Sequence, residues 1–580
     1  MAIEIHDFGG IAPALTAYKL PRGMAQVAQN VNPDSRTVKP WKDAVVASAG
    51  YSAAATTTIF RFGRSIISDT SYWFQWPYDV DVVKGPIVGD STERTFWTGQ
   101  GAPKWTNNTL ALTGGAPYPR AYRDLGVVKP TIPPIMSVTG TALSADYSVV
   151  GYAYTNVTAY GEESAPSPIC VGQKVYSGQT ASCTGFDMAP TGNGSTVARR
   201  LYRVVTSSLN TNLYFVKEAA NAVATVVDDV GSNIGGAITT TSWDVPPSTL
   251  FGITAMANGI LVGFSGNDVC ISAQYAPYAW PLGYRCSTDF PIVGGRAIGN
   301  QVVVLTLGNP YLLSGTTSAA MSLTKIETPE ACVSKRSIAN ITMPMQSLMG
   351  SSMMVGSVYY ASANGLCSCD SSGNVKVMTQ GIMNREDWQA LAPASISGFA
   401  YNGRYFGFYN TGSVQGGFCF DPKAGTGAFT MFPFYATGGF SDIVQDHMFL
   451  QVGTNILLWN ASATSLTATW RSGIMETPMR TMMFVAVQSK SYGVTSVTYD
   501  VGLYNVGPYN VGVPTTGLVV CNIYGDGQLI DNRIVLSNRP YKINADDKHF
   551  QWEIEIVTTS EVVGVVLAEN AADMRASGNT

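Results

Sequence analysis

Met256-Ala-Asn-Gly-Ile-Leu-Val-Gly-Phe264 decides the fold, because four later stretches repeat its form. They are Ala297-Ile-Gly-Asn-Gln-Val-Val-Val-Leu305, Met354-Val-Gly-Ser-Val-Tyr-Tyr-Ala-Ser362, Ala400-Tyr-Asn-Gly-Arg-Tyr-Phe-Gly-Phe-Tyr409 and Val444-Gln-Asp-His-Met-Phe-Leu-Gln-Val452. Each joins a turn pair (Asn-Gly, Gly-Asn, Gly-Ser, Asn-Gly, Asp-His) to a β-branched or aromatic run, the signal of a hairpin. A partner run follows each: Asp268–Ser272, Pro310–Ser314, Gly365–Cys369, Gly417–Asp421 and Asn455–Trp459. The repeat distance of roughly 40–55 residues is near the span of a propeller blade. One such sheet cannot bury both faces, whereas blades stacked about an axis can. The spacing therefore predicts a propeller over 251–470, in preference to a β-sandwich with uneven loops.

Outward from this core the chain divides. Residues 1–50 form an arm with turns at Phe8-Gly9-Gly10 and Asn32-Pro33-Asp34, a stretch Gly23–Asn30 with apolar residues at helical spacing, and an extended Val38–Trp41. The arm has too little apolar surface to fold alone, so it must lie on the rest of the chain or on a neighbour. Residues 51–130 hold the first blade or blades, beginning with Thr58–Ser68 and Tyr72–Trp76. The proline-rich 127–134 reads as a stiff linker. Residues 135–245 read as an inserted immunoglobulin/fibronectin-like sandwich, with a long strand Tyr147–Tyr160 and a hairpin over Val197–Glu218. Residues 471–580 form a C-terminal β-domain with a hairpin turn at Asp526-Gly527. The predicted fold class is all-β: a propeller of six or seven blades, an inserted sandwich and a C-terminal β-domain.

Composition bounds the function. Charged residues make up 13% and the net charge is −4, with no basic block. Tight nucleic-acid binding draws on clustered Lys and Arg that release counterions, and this chain lacks them. Nine cysteines are scattered. The close pair Cys367 and Cys369 has no neighbouring ligands for zinc, so free thiols in a reducing cytosol are expected. No apolar run reaches membrane-spanning length, and the first residues lack the charged-then-apolar pattern of a secretory leader, so synthesis in a cytosol is expected.

Catalytic chemistry is hard to find. His6, His447 and His549 are spaced for no metal site. No Gly-x-Ser-x-Gly elbow or phosphate-cradling loop occurs. Glu386-Asp387 reads as the first turn of a short helix, Glu162-Glu163 as a sandwich turn, and Arg199-Arg200 as a solvated or interface pair. No catalytic residue, metal ligand or cofactor is assigned. The loop Tyr504–Pro514 duplicates Tyr-Asn-Val-Gly. It is either an ordinary long hairpin loop or a structured contact or constriction carried by Tyr504, Asn505, Pro508, Tyr509 and Asn510.

Three stretches resemble the tail nozzle, or tail hub, proteins of short-tailed bacteriophages. They are the arm (Gly9-Gly10, Ala25–Asn30, Val38–Trp41), the sandwich (Val157–Pro168, Arg199–Arg203) and the end (Asp526-Gly527, Trp552–Ile556, Val562–Glu569). Ser272–Trp280 adds to the likeness. The resemblance implies a virion tail protein, made in the host cytoplasm, forming a homo-hexameric ring below an adaptor and the portal. Tail fibres or spikes would attach nearby, and double-stranded DNA would pass without tight binding. A neutral or acidic wall suits such a passage, because it offers no counterion-release affinity. Asp79 and Asp81 are candidates for that acidic lumen. The alternative is a glycan-binding or glycan-cleaving propeller; a secreted adhesion module is the third reading, and the unpaired thiols argue against it.

Overall fold

A computed structural model describes residues 1–48, 56–62, 72–187, 196–206, 211–232, 234–346, 352–423, 429–443, 445–493, 517–543 and 547–577. The fold is all-β, assembled mostly from small antiparallel sheets. The chain falls into two compact units, Met1–Ile59 with Glu330–Thr580, and Phe60–Pro329.

The second unit holds three four-stranded meanders among its described residues. The first comprises Asp81–Lys84, Thr95–Thr98, Lys104–Thr106 and Arg123–Asp124. Thr95–Thr98 and Lys104–Thr106 thus belong to a sheet that begins at Asp81–Lys84, apart from the Thr58–Phe62/Tyr72–Trp76 pair. The other two follow the repeated phrase. Phe251–Ala255, Leu261–Ser265, Asp268–Ile271 and Cys286–Ser287 form one; Ile292–Ile298, Gln301–Thr306, Tyr311–Ser314 and Ser322–Lys325 form the next. Their inward residues, including Ile260, Val262, Val302 and Leu313, share one apolar core. A ladder of rings runs Phe62, Phe74, Trp76, Trp97, Tyr122 at centroid spacings of 4.5, 5.9, 5.6 and 5.5 Å.

The inserted sandwich lies in the same unit. Its sheets are Ile135–Thr139 with Thr180–Thr184 and Val226–Asp228, Tyr147–Val150 with Gln173–Tyr176, and Tyr152–Thr158 with Thr196–Thr206 and Thr211–Ala220. The single long strand expected over Tyr147–Tyr160 is instead two. It breaks at Gly151 and passes from one sheet to another. A Cβ at Gly151 would stand 3.2 Å from the Cys170 carbonyl oxygen, so the crossing is close and favours glycine.

The first unit contains the remaining meanders. Ala339–Gln346, Ser352–Ala361, Leu366–Asp370 and Val375–Val377 form one. Here the expected Gly356-Ser357 turn is absent: both residues lie inside a ten-residue strand. Period-2 pairing with Ala339–Gln346 overrides the local turn preference. Ser397–Tyr401, Arg404–Asn410, Gln415–Phe420 and Phe429–Phe432 form the next, and Gly438–Asp442, His447–Val452 and Asn455–Leu458 the last.

The arm completes this unit by lying on its own chain. Val45–Ser48 is the fourth strand of the last meander, pairing with Asn455–Leu458. Ala2–Ile5 pairs with Val562–Ala568, beside Phe484–Ser489. The stretch Gly23–Asn30, expected to show helical spacing, is the strand Ala25–Gln29. It lies between Phe429–Phe432, which it meets in parallel at Gln29, and Ala468–Ser472, with which it pairs antiparallel along its length. The result is one ten-stranded sheet, running on through His549–Thr558 and Val519–Gly525 to Gln528–Ile534. The boundary drawn at 470/471 therefore falls inside a strand. Trp470, Trp552, Ile554 and Ile556 bury themselves in the core beneath this sheet.

Candidate functional site

Asp81 opens its strand, buried at 5% exposure, and its Oδ1 lies 3.1 Å from Arg296 Nη1. An acidic wall needs solvent-facing carboxylates, and Asp81 is a paired group packed inside the unit. That corrects its assignment as a lumen residue. Asp79 is half-buried. Tyr504, Asn505, Pro508, Tyr509 and Asn510 lie outside the described residues.

The carboxylate and arginine pairs singled out in the sequence are structural anchors. Asn384 caps the helix Arg385–Ala390 by accepting a hydrogen bond from the Asp387 amide at 2.8 Å, placing Glu386 and Asp387 in the first turn as expected. Glu162 and Glu163 face different partners. Glu162 accepts from Arg94 Nη1 at 2.6 Å, and Arg94 Nε reaches Asp90 at 3.0 Å. The same guanidinium stacks 4.4 Å from the centre of the Tyr160 ring. Tyr160 meets Trp105 edge-on and accepts a hydrogen bond from Asn107 Nδ2 at 2.7 Å. Burial pushes the Glu162 carboxyl up, and the opposing pull of Arg94 does not offset it. Arg94 itself is raised: desolvation lowers it, but Glu162 and Asp90 outweigh that. The 2.6 Å contact to a buried guanidinium keeps the pair ionic at neutral pH.

Glu163 Oε1 accepts from Thr155 and from Tyr202, each at 2.6 Å, and its Oε2 accepts from Arg200 Nη1 at 2.6 Å. Arg200 also bridges to Glu218 at 2.8 Å. Arg199 is buried, donating to the Asp187 and Asn221 carbonyls at 2.8 and 3.0 Å. The Arg199-Arg200 pair is thus committed within the chain, not left solvated. The turn Tyr160–Ser164 seats the sandwich against the first meander of its unit. Sequence reading missed that role because its partners, Arg94 and Trp105, lie far away in the chain.

Among the clefts of the described residues are two lined by charged and aromatic side chains. In the first unit, a cleft of about 310 Å³ lies across the starts of three meanders, lined by Asn340, Tyr401, Asn402, Lys423, Asp442 and His447 among others. Asp442 is buried and accepts from the Gln445 amide at 3.3 Å. In the second unit, a cleft of about 270 Å³ opens at the end of the sandwich, beside Asp146, Tyr147, Tyr176 and Asp229. No sequence motif marks either cleft, because each is built from short stretches of strands and loops that are distant in the chain.

All nine cysteines are unpaired; eight are buried and Cys286 is half-buried. Burial pushes the Cys367 and Cys369 thiols up to about 12. Of the histidines, His549 Nδ1 lies 3.0 Å from Asp526 Oδ2, His6 lies 3.8 Å from Glu4, and His447 lines the first-unit cleft. Among the described residues no three His, Cys, Asp or Glu side chains converge to hold a metal ion. Among them also, no helix is long and apolar enough to cross a membrane.

No family model matches this chain, and no curated protein matches it. Among solved structures it is similar to the dihydro-heme d1 dehydrogenase NirN in complex with DHE, at 7% identity and a TM-score of 0.24 over 70% of this chain and 74% of that one. It is similar also to the extracellular domain of the one-component system BT4673 from B. thetaiotaomicron, at 12% identity and a TM-score of 0.22 over 70% of this chain and 52% of that one. A third is the tricorn protease, at 9% identity and a TM-score of 0.19, over 86% of this chain and 53% of that one. The chain thus spans about half the length of the latter two. Likeness at these TM-scores carries no argument about what this chain does.

Proposed function

We propose that this chain is a structural virion protein of the tail nozzle type, a ring-forming subunit at the distal end of a short phage tail. In that role it forms a homo-hexamer, meets an adaptor above and fibres or spikes beside it, and lets double-stranded DNA pass. The observation that supports this reading is the ten-stranded sheet of the first unit. It joins a meander, the arm strand Ala25–Gln29 and the C-terminal strands into one hydrogen-bonded body. Such a body transmits load without a hinge between meander and C-terminal region, which suits a subunit that must hold its shape as DNA is driven past. The low charge supports it too: a net of −4 gives passing phosphates nothing to grip.

Mass measurement and negative-stain imaging of the purified protein test the reading. Sixfold rings, alone or after addition of the tail assembly, are the expected outcome. A stable monomer that shortens a polysaccharide, with turnover lost in Asp442→Asn, would overturn it in favour of a glycan-cleaving propeller.

A further inference from the structure

The open end of the sandwich carries a pair of aromatic rings beside a cleft. Tyr147 and Tyr176 are direct cross-strand partners. Their ring centroids lie 5.6 Å apart with planes at 58°. Tyr147 is 50% exposed, and its outward neighbour Val149 is 63% exposed. Aromatic rings left in water forgo the stabilisation that burial would bring. Lys174 Nζ stands 4.2 Å from the centre of the Tyr147 ring and occupies one face of it.

Besides Lys174, the polar groups around these rings are two hydroxyls, one amide and two carboxylates. The adjoining cleft of about 270 Å³ is lined by Asp146, Ser148, Ser177, Gln179 and Asp229 besides the two tyrosines. Asp146 and Asp229 are exposed carboxylates, which only accept hydrogen bonds. Gln179 is committed internally, its Oε1 to the Tyr176 amide at 3.0 Å and its Nε2 to the Gly140 carbonyl at 3.2 Å. That commitment fixes the turn beside Tyr176, so the cleft is preformed. Its character is aromatic and rich in acceptors. The matching ligand has hydroxyl donors on its rim and apolar C–H faces in its plane.

We propose that this end of the sandwich binds a neutral saccharide. Tyr147 and Tyr176 pack against the sugar C–H face, and Asp146 and Asp229 accept bonds from its hydroxyls. Saccharides bearing carboxylates are disfavoured, because the two carboxylates Asp146 and Asp229 outnumber the one cation, Lys174, beside the rings. The site does not depend on the ring-forming role; it is as complete in a single copy as in an assembly.

Affinity electrophoresis of the full chain through gels containing dextran, galactomannan or polygalacturonate tests the proposal. Retardation by at least one neutral polymer and none by polygalacturonate is expected. Tyr147→Ala should weaken that retardation at least tenfold with the melting temperature unchanged, since the ring is half in water. Asp146→Asn, at an exposed position, should weaken it while leaving both rings in place, and it carries the test if Tyr147→Ala folds poorly. Failure of both neutral polymers to retard the chain would overturn the site. So would equal retardation by polygalacturonate, or retardation that both variants leave intact. Ring formation in the imaging experiment is unaffected by any of these outcomes, so the two proposals fail separately.

Discussion

Phe8 stands edge-on against Trp470, with ring centroids 4.8 Å apart and planes at 82°. The indole Nε1 donates to the Gly9 carbonyl at 3.0 Å, so one tryptophan of the ten-stranded sheet both packs and hydrogen-bonds the start of the arm. Both side chains are buried, at 2% and 0% exposure. Phe8→Ala should cost about 3–5 kcal/mol, the range for emptying a buried aromatic site. Thermal melting with limited proteolysis checks it: the transition should fall, and cleavage should appear first within the arm.

Arg404 ties the same arm to the neighbouring meander. Its Nη2 lies 2.6 Å from Asp34 and its Nε 2.7 Å from Asp421, with Trp41 stacked 5.7 Å from the guanidinium carbon. Asp421 is buried, whereas the Asp34 side chain is 51% exposed. Arg404→Ala leaves Asp421 buried without its cation and should cost about 3–5 kcal/mol. Asp34→Ala loses a half-solvated partner and should cost about 1 kcal/mol or less. Urea unfolding of the two variants should therefore separate them clearly; equal losses would refute the ranking.

Glu561 links the arm and the C-terminal strands through acceptance from Thr37 at 2.9 Å and an ion pair to Lys490 at 2.8 Å. Burial raises its carboxyl, but the bonds from Lys490 and Thr37 outweigh that and hold it below the ordinary glutamate value of 4.5. Because the folded value is depressed, its contribution is present in full above that ordinary value. It is lost as pH falls through the folded one. Melting temperatures followed from neutral pH into acid should fall less steeply for Glu561→Gln than for the parent chain.

The thiols should report the packing directly. Burial raises Cys270 to about 11 and Cys521 to about 12. Cys286, at the edge of its meander, is half-buried. Titration of the native protein with an aromatic disulfide reagent should show Cys286 reacting first, and Cys286→Ser should remove that early phase. The other eight should react only on unfolding.

Gly527 provides a test of turn strain alone. Asp526 and Gly527 have φ of +47° and +80°, and a Cβ at Gly527 would meet nothing within 4 Å. Gly527→Ala should therefore cost about 1–2 kcal/mol from backbone conformation without any clash. A larger loss in chemical unfolding would show that the turn does more than reverse the chain.

The hairpins at Asn258-Gly259, Asn402-Gly403 and Asp526-Gly527 were legible in the sequence because a turn with positive φ is a local demand that Asn, Asp and Gly meet. The partner strands after each phrase were legible for the same reason, since a meander pairs neighbours. The Gly356-Ser357 turn failed as a reading because a ten-residue strand supplied pairing that no local window contains. Ala25–Gln29 could not be read as a strand from its own composition. Its ladders lie with Met431 on one side and Thr469, Trp470 and Arg471 on the other, more than 400 residues away. Asp81 looked like a free carboxylate until Arg296 was placed 215 positions later beside it. The sequence alone determined where the chain turns and that it is built of strands. Which strands become neighbours, and which charges are spent on one another, was decided only when distant hydrogen-bonding edges and buried side chains met.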